Sequence, residues 1–337
     1  MKSVGFIVLF LAVLAATTAW AGGEGEPASE LVVYTYDAFG EVLEAAVTEH
    51  FRTSWDVPVR FERFSDTGAV YNQLYLERRR ARADVVIGLD TTYLARIYEE
   101  NLLEPYRPEG LVVVSESLIV DPEFRAVPFD YGGVVLNYDS EVLRDPPRTW
   151  EELLDPRLKD SIVVMNPATS SPGRNFLLLT VQQFGEEGYL EFWRRLKPNV
   201  LTVTGGWSEG YGLYTQGEAP IVLSYDTSPA YHREFENTDR YRTLVIEDVA
   251  YAQVEIAGIV RGAPNPLEAE RCMDFIVSAQ FQELIPLSQF MYPIHPDAPL
   301  PDSFAGVARA GKLVTLDEAA VAVRIDRWIS DWEAVMR

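Results

Sequence analysis

Leu31-Val32-Val33-Tyr34-Thr35, the recurrence Leu43, Val47 and Phe51, the alternating run Val57 to Phe64 and the segment Asp84-Val85-Val86-Ile87-Gly88 together decide the fold class. Short apolar runs bounded by turn residues are buried strands, and apolar residues four apart mark one face of a helix. The resulting β-α-β-α succession predicts an α/β layer with a mainly parallel sheet. In such sheets ligands bind outside the carboxyl ends of the strands, where the strand order reverses.

A second set of strands follows: Gly133 to Tyr138, Ser161 to Met165, Val200 to Thr204 and Ile221 to Tyr225. Gln253 to Val260 then reads as a strand returning to the first set. Two crossings, near Tyr131–Asn137 and Glu255–Ile259, predict two lobes joined by a hinge. The corresponding division is 22–130 with 256–337 for lobe 1 and 131–255 for lobe 2. The last helix carries the stripe Val321, Ile325, Trp328, Trp332 and Val335, a core-packing pattern. Pro146-Pro147 and Pro264-Asn265-Pro266 punctuate surface loops.

The amino terminus gives an address. Lys2, the apolar run Val4 to Ala16 and the small-x-small Ala19-Trp20-Ala21 form a secretory signal at 1–21, cut after Ala21. The apolar run is too short to span a bilayer, so a soluble, exported protein is expected. The chain carries 51 acidic against 29 basic residues, a net charge of −22. Such a balance excludes nucleic acid and anionic lipid as partners, because phosphate backbones require clustered Lys and Arg. Cys272 is the single cysteine, in an apolar helical pattern, so no internal disulfide forms. His50, His232 and His295 lack metal-ligand spacing, and no metal is expected.

Candidate binding chemistry gathers at strand ends and helix starts. Gly205-Gly206-Trp207-Ser208-Glu209-Gly210-Tyr211-Gly212 follows one β-branched run, and Asp226-Thr227-Ser228-Pro229-Ala230-Tyr231-His232 follows the strand ending at Tyr225. Tyr36, Trp207, Tyr225, Tyr231 and Phe290 offer faces on which a flat cation gains about 0.5–2 kcal/mol per contact. A strand-end aromatic is more often a core cap than a ligand clamp. Ser170-Ser171-Pro172-Gly173 and Ser228-Pro229 are helix starts whose free N–H groups either hold an anion or are capped by their own serines. Asp66, with Thr67 and Gly68, is either a helix cap or an acceptor for ligand amino and hydroxyl groups.

Read in order, Val33-Tyr34-Thr35-Tyr36-Asp37, Asp84 to Asp90, Val127-Pro128-Phe129-Asp130-Tyr131-Gly132, Thr169 to Gly173, Gly206-Trp207-Ser208-Glu209, Leu223-Ser224-Tyr225 with Thr227 to His232, and Met291-Tyr292-Pro293 resemble the periplasmic thiamine-binding proteins of ABC importers. The resemblance runs from about Leu31 to the carboxyl terminus. It implies a two-lobed type II periplasmic-binding-protein fold with a hinge of two crossover strands, closing over thiamine or a thiamine phosphate without cofactor or catalysis. It also implies a monomer that serves a membrane permease and its ATPase.

Carried onto matching positions, Tyr36, Trp207 and Tyr231 contact the thiamine rings. Asp66, Thr67, Ser170, Ser171 and the turn Tyr225, Asp226, Thr227, Ser228 and Pro229 surround the hydroxyethyl or phosphate end. Phe290 stands where relatives have tryptophan, and Asp226 where a relative has threonine, which puts a negative charge near the phosphate end. The alternatives are a thiamine-degrading enzyme using a cysteine nucleophile, or a polyamine- or Fe(III)-binding protein of the same fold. The enzyme requires an activated thiol. Related iron carriers use adjacent tyrosines, and no Tyr-Tyr pair occurs here.

Overall fold

Residues 30–337 are described by a computed structural model; the expected signal segment 1–21 and the expected cleavage after Ala21 lie outside them. The first elements are β1 (Leu31–Tyr36), α1 (Glu41–Trp55), β2 (Val59–Phe64), α2 (Thr67–Glu77), β3 (Val85–Asp90), α3 (Leu94–Glu99) and β4 (Leu103–Glu104). The middle of the chain forms β5 (Val127–Asp139), α4 (Trp150–Leu153), β6 (Ile162–Met165), α5 (Ser171–Leu196), β7 (Val200–Thr204), α6 (Trp207–Thr215), β8 (Ile221–Tyr225), α7 (Pro229–Phe235) and β9 (Tyr241–Leu244). It ends with β10 (Val249–Val260), α8 (Pro266–Ile276), α9 (Ala279–Gln282), α10 (Ile285–Ser288), β11 (Tyr292–Pro293), β12 (Lys312–Val314) and α11 (Glu318–Met336). Among the described residues no helix is long and apolar enough to cross a membrane.

The main strand order is β2-β1-β3-β10-β5-β8-β6-β7. Its two ends are parallel, β1 with β2 and β3, and β6 with β7 and β8. The centre is antiparallel because β5 leaves the first lobe and β10 returns to it, paired with Ala252 opposite Gly133 and Ala257 opposite Val127. Each long strand feeds two cores. Val127 and Phe129 of β5 and Ile256 and Ala257 of β10 enter the first core, with β1 and β3. Val134 and Leu136, and Tyr251, enter the second. β1 is buried along its whole length, as an unbroken apolar run in a covered parallel sheet must be. β2 lies at the edge and keeps the alternation of a strand with one open face.

One difference from the sequence reading has a physical cause. The helix beginning near Ser171 runs on to Leu196, interrupted at Gly185, whose φ of 70° and ψ of 172° only glycine adopts without strain. The second half carries Trp193, and Trp332 of α11 meets it edge to face at 5.4 Å. Val321, Ile325, Trp328 and Trp332 therefore join the second core. The division assigning 256–337 to lobe 1 is corrected here: α11 packs on lobe 2. The stripe was legible, but the surface it fills is set by the indole of Trp193, far away in sequence.

Candidate functional site

A cavity of about 460 Å³ lies between the lobes, beside β5 and β10. Its lobe-1 wall comes from the end of β1 (Tyr36, Asp37), the start of α2 (Asp66, Thr67) and the loop after α10 (Gln289, Phe290). Backbone geometry sets the first of these. Gly88 in β3 has a φ of +95°, and a Cβ there would overlap the edge of the Tyr36 ring. The ring occupies the space glycine leaves. Tyr36 then donates its hydroxyl to Glu255 Oε2 at 2.8 Å and accepts from Gln289 Nε2.

The opposite wall is aromatic. Trp207, at the start of α6, stacks on Tyr211 one turn on, with ring centroids 4.7 Å apart. Its indole N–H donates to Ser224 Oγ at 2.8 Å, which is paired with Ser228 Oγ at 2.7 Å. Tyr211 OH lies 2.9 Å from His232 Nε2, and His232 Nδ1 lies 2.7 Å from Glu236. Burial lowers the His232 pKa even though Glu236 opposes the shift. Tyr231 meets Phe290 edge to face at 5.1 Å across the cavity mouth and stays 39 % exposed. Tyr225 forms part of the floor, where Gln253 Nε2 donates to its hydroxyl at 3.0 Å and to Glu255 Oε1 at 3.1 Å.

The lobes touch through hydrogen bonds across the cleft. Asp66 accepts the amide of Thr67 at 2.7 Å, capping α2, and the amide of Trp207 at 3.0 Å, at the start of α6 in the other lobe. Ser208 Oγ donates to Asp37 at 2.9 Å, Gly68 N to the Thr169 carbonyl at 3.0 Å, and Ser171 Oγ to Asp90. Burial pushes the Asp66 carboxyl up to about 6, against the pull of its two amide donors. Asp37, Asp66, Glu236 and Glu255 line the cavity, and the lining contains no Lys, Arg or His among the described residues. Such a chamber suits a flat organic cation, with ring faces for its body and carboxylates for its charge.

Of the residues singled out from sequence, Tyr36, Asp66, Thr67, Ser171, Trp207, Tyr225, Ser228, Tyr231 and Phe290 line this one cavity. Ser170, Asp226, Thr227 and Pro229 do not. Ser170 takes the N-cap position of α5 with its hydroxyl buried and unpaired, and Pro229 opens α7. The Thr227 hydroxyl is likewise buried without a partner. Asp226 corrects the expectation of a negative charge at the ligand: it lies in the turn just beyond β8, where its carboxyl is turned to the backbone of β5. Tyr225 faces the cavity, while Asp226 accepts the Gly133 amide at 3.0 Å and feels the charge of Arg309.

Tyr211, Gln289 and Glu255 were missed. Tyr211 was detectable as the i+4 neighbour of Trp207 on a helix, and Glu255 as the one acid in the apolar return strand. Gln289 carries no local signal. Cys272 is wholly buried in α8, and burial pushes its thiol up to about 12.

The bacterial extracellular solute-binding protein family matches residues 81–306. The thiamine-binding periplasmic protein of Brucella abortus is 38 % identical over 309 residues, covering 90 % of this chain and 91 % of that one. The chain belongs to the thiamine-binding periplasmic protein family. A second relative in it, the thiamine-binding periplasmic protein of Escherichia coli, is 33 % identical, with 90 % of this chain and 92 % of the relative covered. A solved structure of a periplasmic thiamin binding protein superposes with a TM-score of 0.85 at 31 % identity, covering 91 % and 96 % of the two chains. The two-lobed type II fold is thus shared across the thiamine-binding family and this protein, a periplasmic solute-binding protein that hands a small molecule to an ABC importer.

Proposed function

We propose that the small molecule is thiamine, held between the aromatic wall of Trp207, Tyr211 and Tyr231 and the lobe-1 face of Tyr36 and Phe290. The observation that carries this reading is a ring-lined cavity with four carboxylates and no basic side chain, in a chain whose relatives are named for thiamine. Thiamine joins a cationic thiazolium to a flat aminopyrimidine, so both halves have a face to stack on and the charge has counter-ions. Binding works without chemistry on the ligand, and the thiol of Cys272 is absent from the cavity lining. The ligand bridges the lobes and selects the closed state by binding it more tightly than the open one. That closed face is what the membrane permease recognises.

Asp66 already occupies the Thr67 and Trp207 amides, the two helix-start donors that would best receive a phosphate. Thiamine is therefore expected to bind at least as tightly as its diphosphate. Mass spectrometry of the purified protein should release thiamine. Calorimetry with thiamine, its monophosphate, its diphosphate and spermidine ranks the candidates. Tighter diphosphate binding would remove the phosphate argument, and spermidine binding in place of thiamine would replace the ligand.

A further inference from the structure

Glu255 and Asp130 face each other in the β5–β10 ladder, under the cavity floor. Both are buried, Glu255 5 % exposed and Asp130 not at all. Glu255 touches the cavity and has two donors, Tyr36 OH and Gln253 Nε2. Both Asp130 oxygens are without a hydrogen-bond partner. The other groups facing the pair are Tyr36 of β1, Tyr225 of β8, Asp90 of β3 and Asp66 before α2, none of them cationic at neutral pH. The buried cation of this region, Arg174 of α5, sits over the Tyr93 ring at 4.2 Å and acts on Asp90. Burial pushes both carboxyls above their ordinary range; the charge of Glu255 raises Asp130 further, and the charges of Asp90 and Asp66 raise Glu255.

We propose that the Glu255–Asp130 pair selects for positive charge: in the empty protein the pair holds a proton, and the organic cation that enters the cavity takes its place, releasing that proton to solvent. This rests on the thiamine reading for its choice of cation. The proton belongs to the pair rather than to one residue. Binding then tightens as pH rises, by up to about tenfold per unit while the pair remains protonated.

Calorimetry of thiamine binding at pH 7, in two buffers of different ionisation enthalpy, counts the proton. Release is expected with thiamine and not with the neutral isostere carrying thiophene in place of thiazolium. Equal proton counts for the two ligands would overturn the proposal. Glu255→Gln should abolish the release and weaken thiamine about tenfold or more, a clearly larger loss than for the isostere. Equal losses for both ligands would make Glu255 a structural residue only. Asp130→Asn should also abolish the release, should the first variant fold poorly. Carboxyl carbon NMR of the empty wild-type protein gives an independent readout. It should show a carboxyl titrating above about pH 6 that Glu255→Gln removes, and two carboxyls in the ordinary range near pH 4 would refute the idea. Wild-type protein that binds no thiamine yet shows this titration would fail the ligand reading and leave the pair standing.

Discussion

Gly88→Ala tests how the cavity is built without touching a ligand contact. The residue sits at a φ of +95°, where an L side chain is strained, and its new Cβ would overlap the Tyr36 ring. The backbone term alone costs about 1–2 kcal/mol. The ring must swing away, breaking the 2.8 Å hydrogen bond from Tyr36 to the protonated carboxyl of Glu255, worth about 0.5–1.5 kcal/mol. Together the loss of stability is about 1.5–3.5 kcal/mol. The ligand also loses one aromatic face, about 0.5–2 kcal/mol, which is a rise in Kd of roughly 2- to 30-fold. Gly262 is the control: its φ is +75°, but nothing lies within 4 Å of a Cβ placed there. Gly262→Ala should lower stability by the backbone term only and leave thiamine affinity unchanged. Urea denaturation and fluorescence titration with thiamine measure the two effects on each variant. Wild-type affinity in Gly88→Ala, or an equal affinity loss in Gly262→Ala, would refute the claim that glycine at 88 exists to seat Tyr36.

Trp332→Ala should cost about 3–5 kcal/mol in chemical denaturation, because the indole is buried against Trp193; a loss below about 1 kcal/mol would show that α11 is not part of the second core. Asp66 and Asp226 are both pushed up to about 6 from an ordinary 3.8. A carboxyl raised in the folded state adds stability that is fully present below pH 3.8 and lost as pH rises through about 6, on the order of 2–3 kcal/mol for each buried group. The stability difference between wild type and Asp66→Asn, or Asp226→Asn, should accordingly change across pH 4–6 and be flat above pH 7; denaturation curves at several pH values check it. Asp226→Asn should also leave thiamine affinity within about twofold, since its carboxyl faces the Gly133 amide rather than the cavity. Tyr231→Ala should weaken thiamine by about 0.5–2 kcal/mol in titration calorimetry, with little change in stability because the ring is already partly exposed.

Much of this protein could be read residue by residue. Val200–Thr204 and Ile221–Tyr225 form strands with the bounds their β-branched runs imply, and the apolar face Leu43, Val47 and Phe51 is buried as its spacing demands. The aromatic cluster was legible because Trp207, Tyr225 and Tyr231 stand where strands end and helices begin, the places an α/β sheet presents to a ligand. Local periodicity carries this information because the 3.6- and 2-residue repeats decide which face of an element is dry.

Contacts between distant segments follow a different logic. No spacing along the chain announces that Asp66 accepts the amide of Trp207, or that Glu255 stands opposite Asp130. Nor does the stripe of α11 name the core it fills. Asp226 and Tyr225 are adjacent, yet only the closing of β8 against β5 sends one to the Gly133 amide and the other to the cavity. Sequence alone settled the strands with unbroken apolar runs, the helix faces with clear spacing and which family the ordered motifs resemble, because each of these rests on neighbours along the chain. The packing of β5 and β10 between two cores settled where the charges sit, because burial and electrostatic coupling depend on distances that only the folded chain defines.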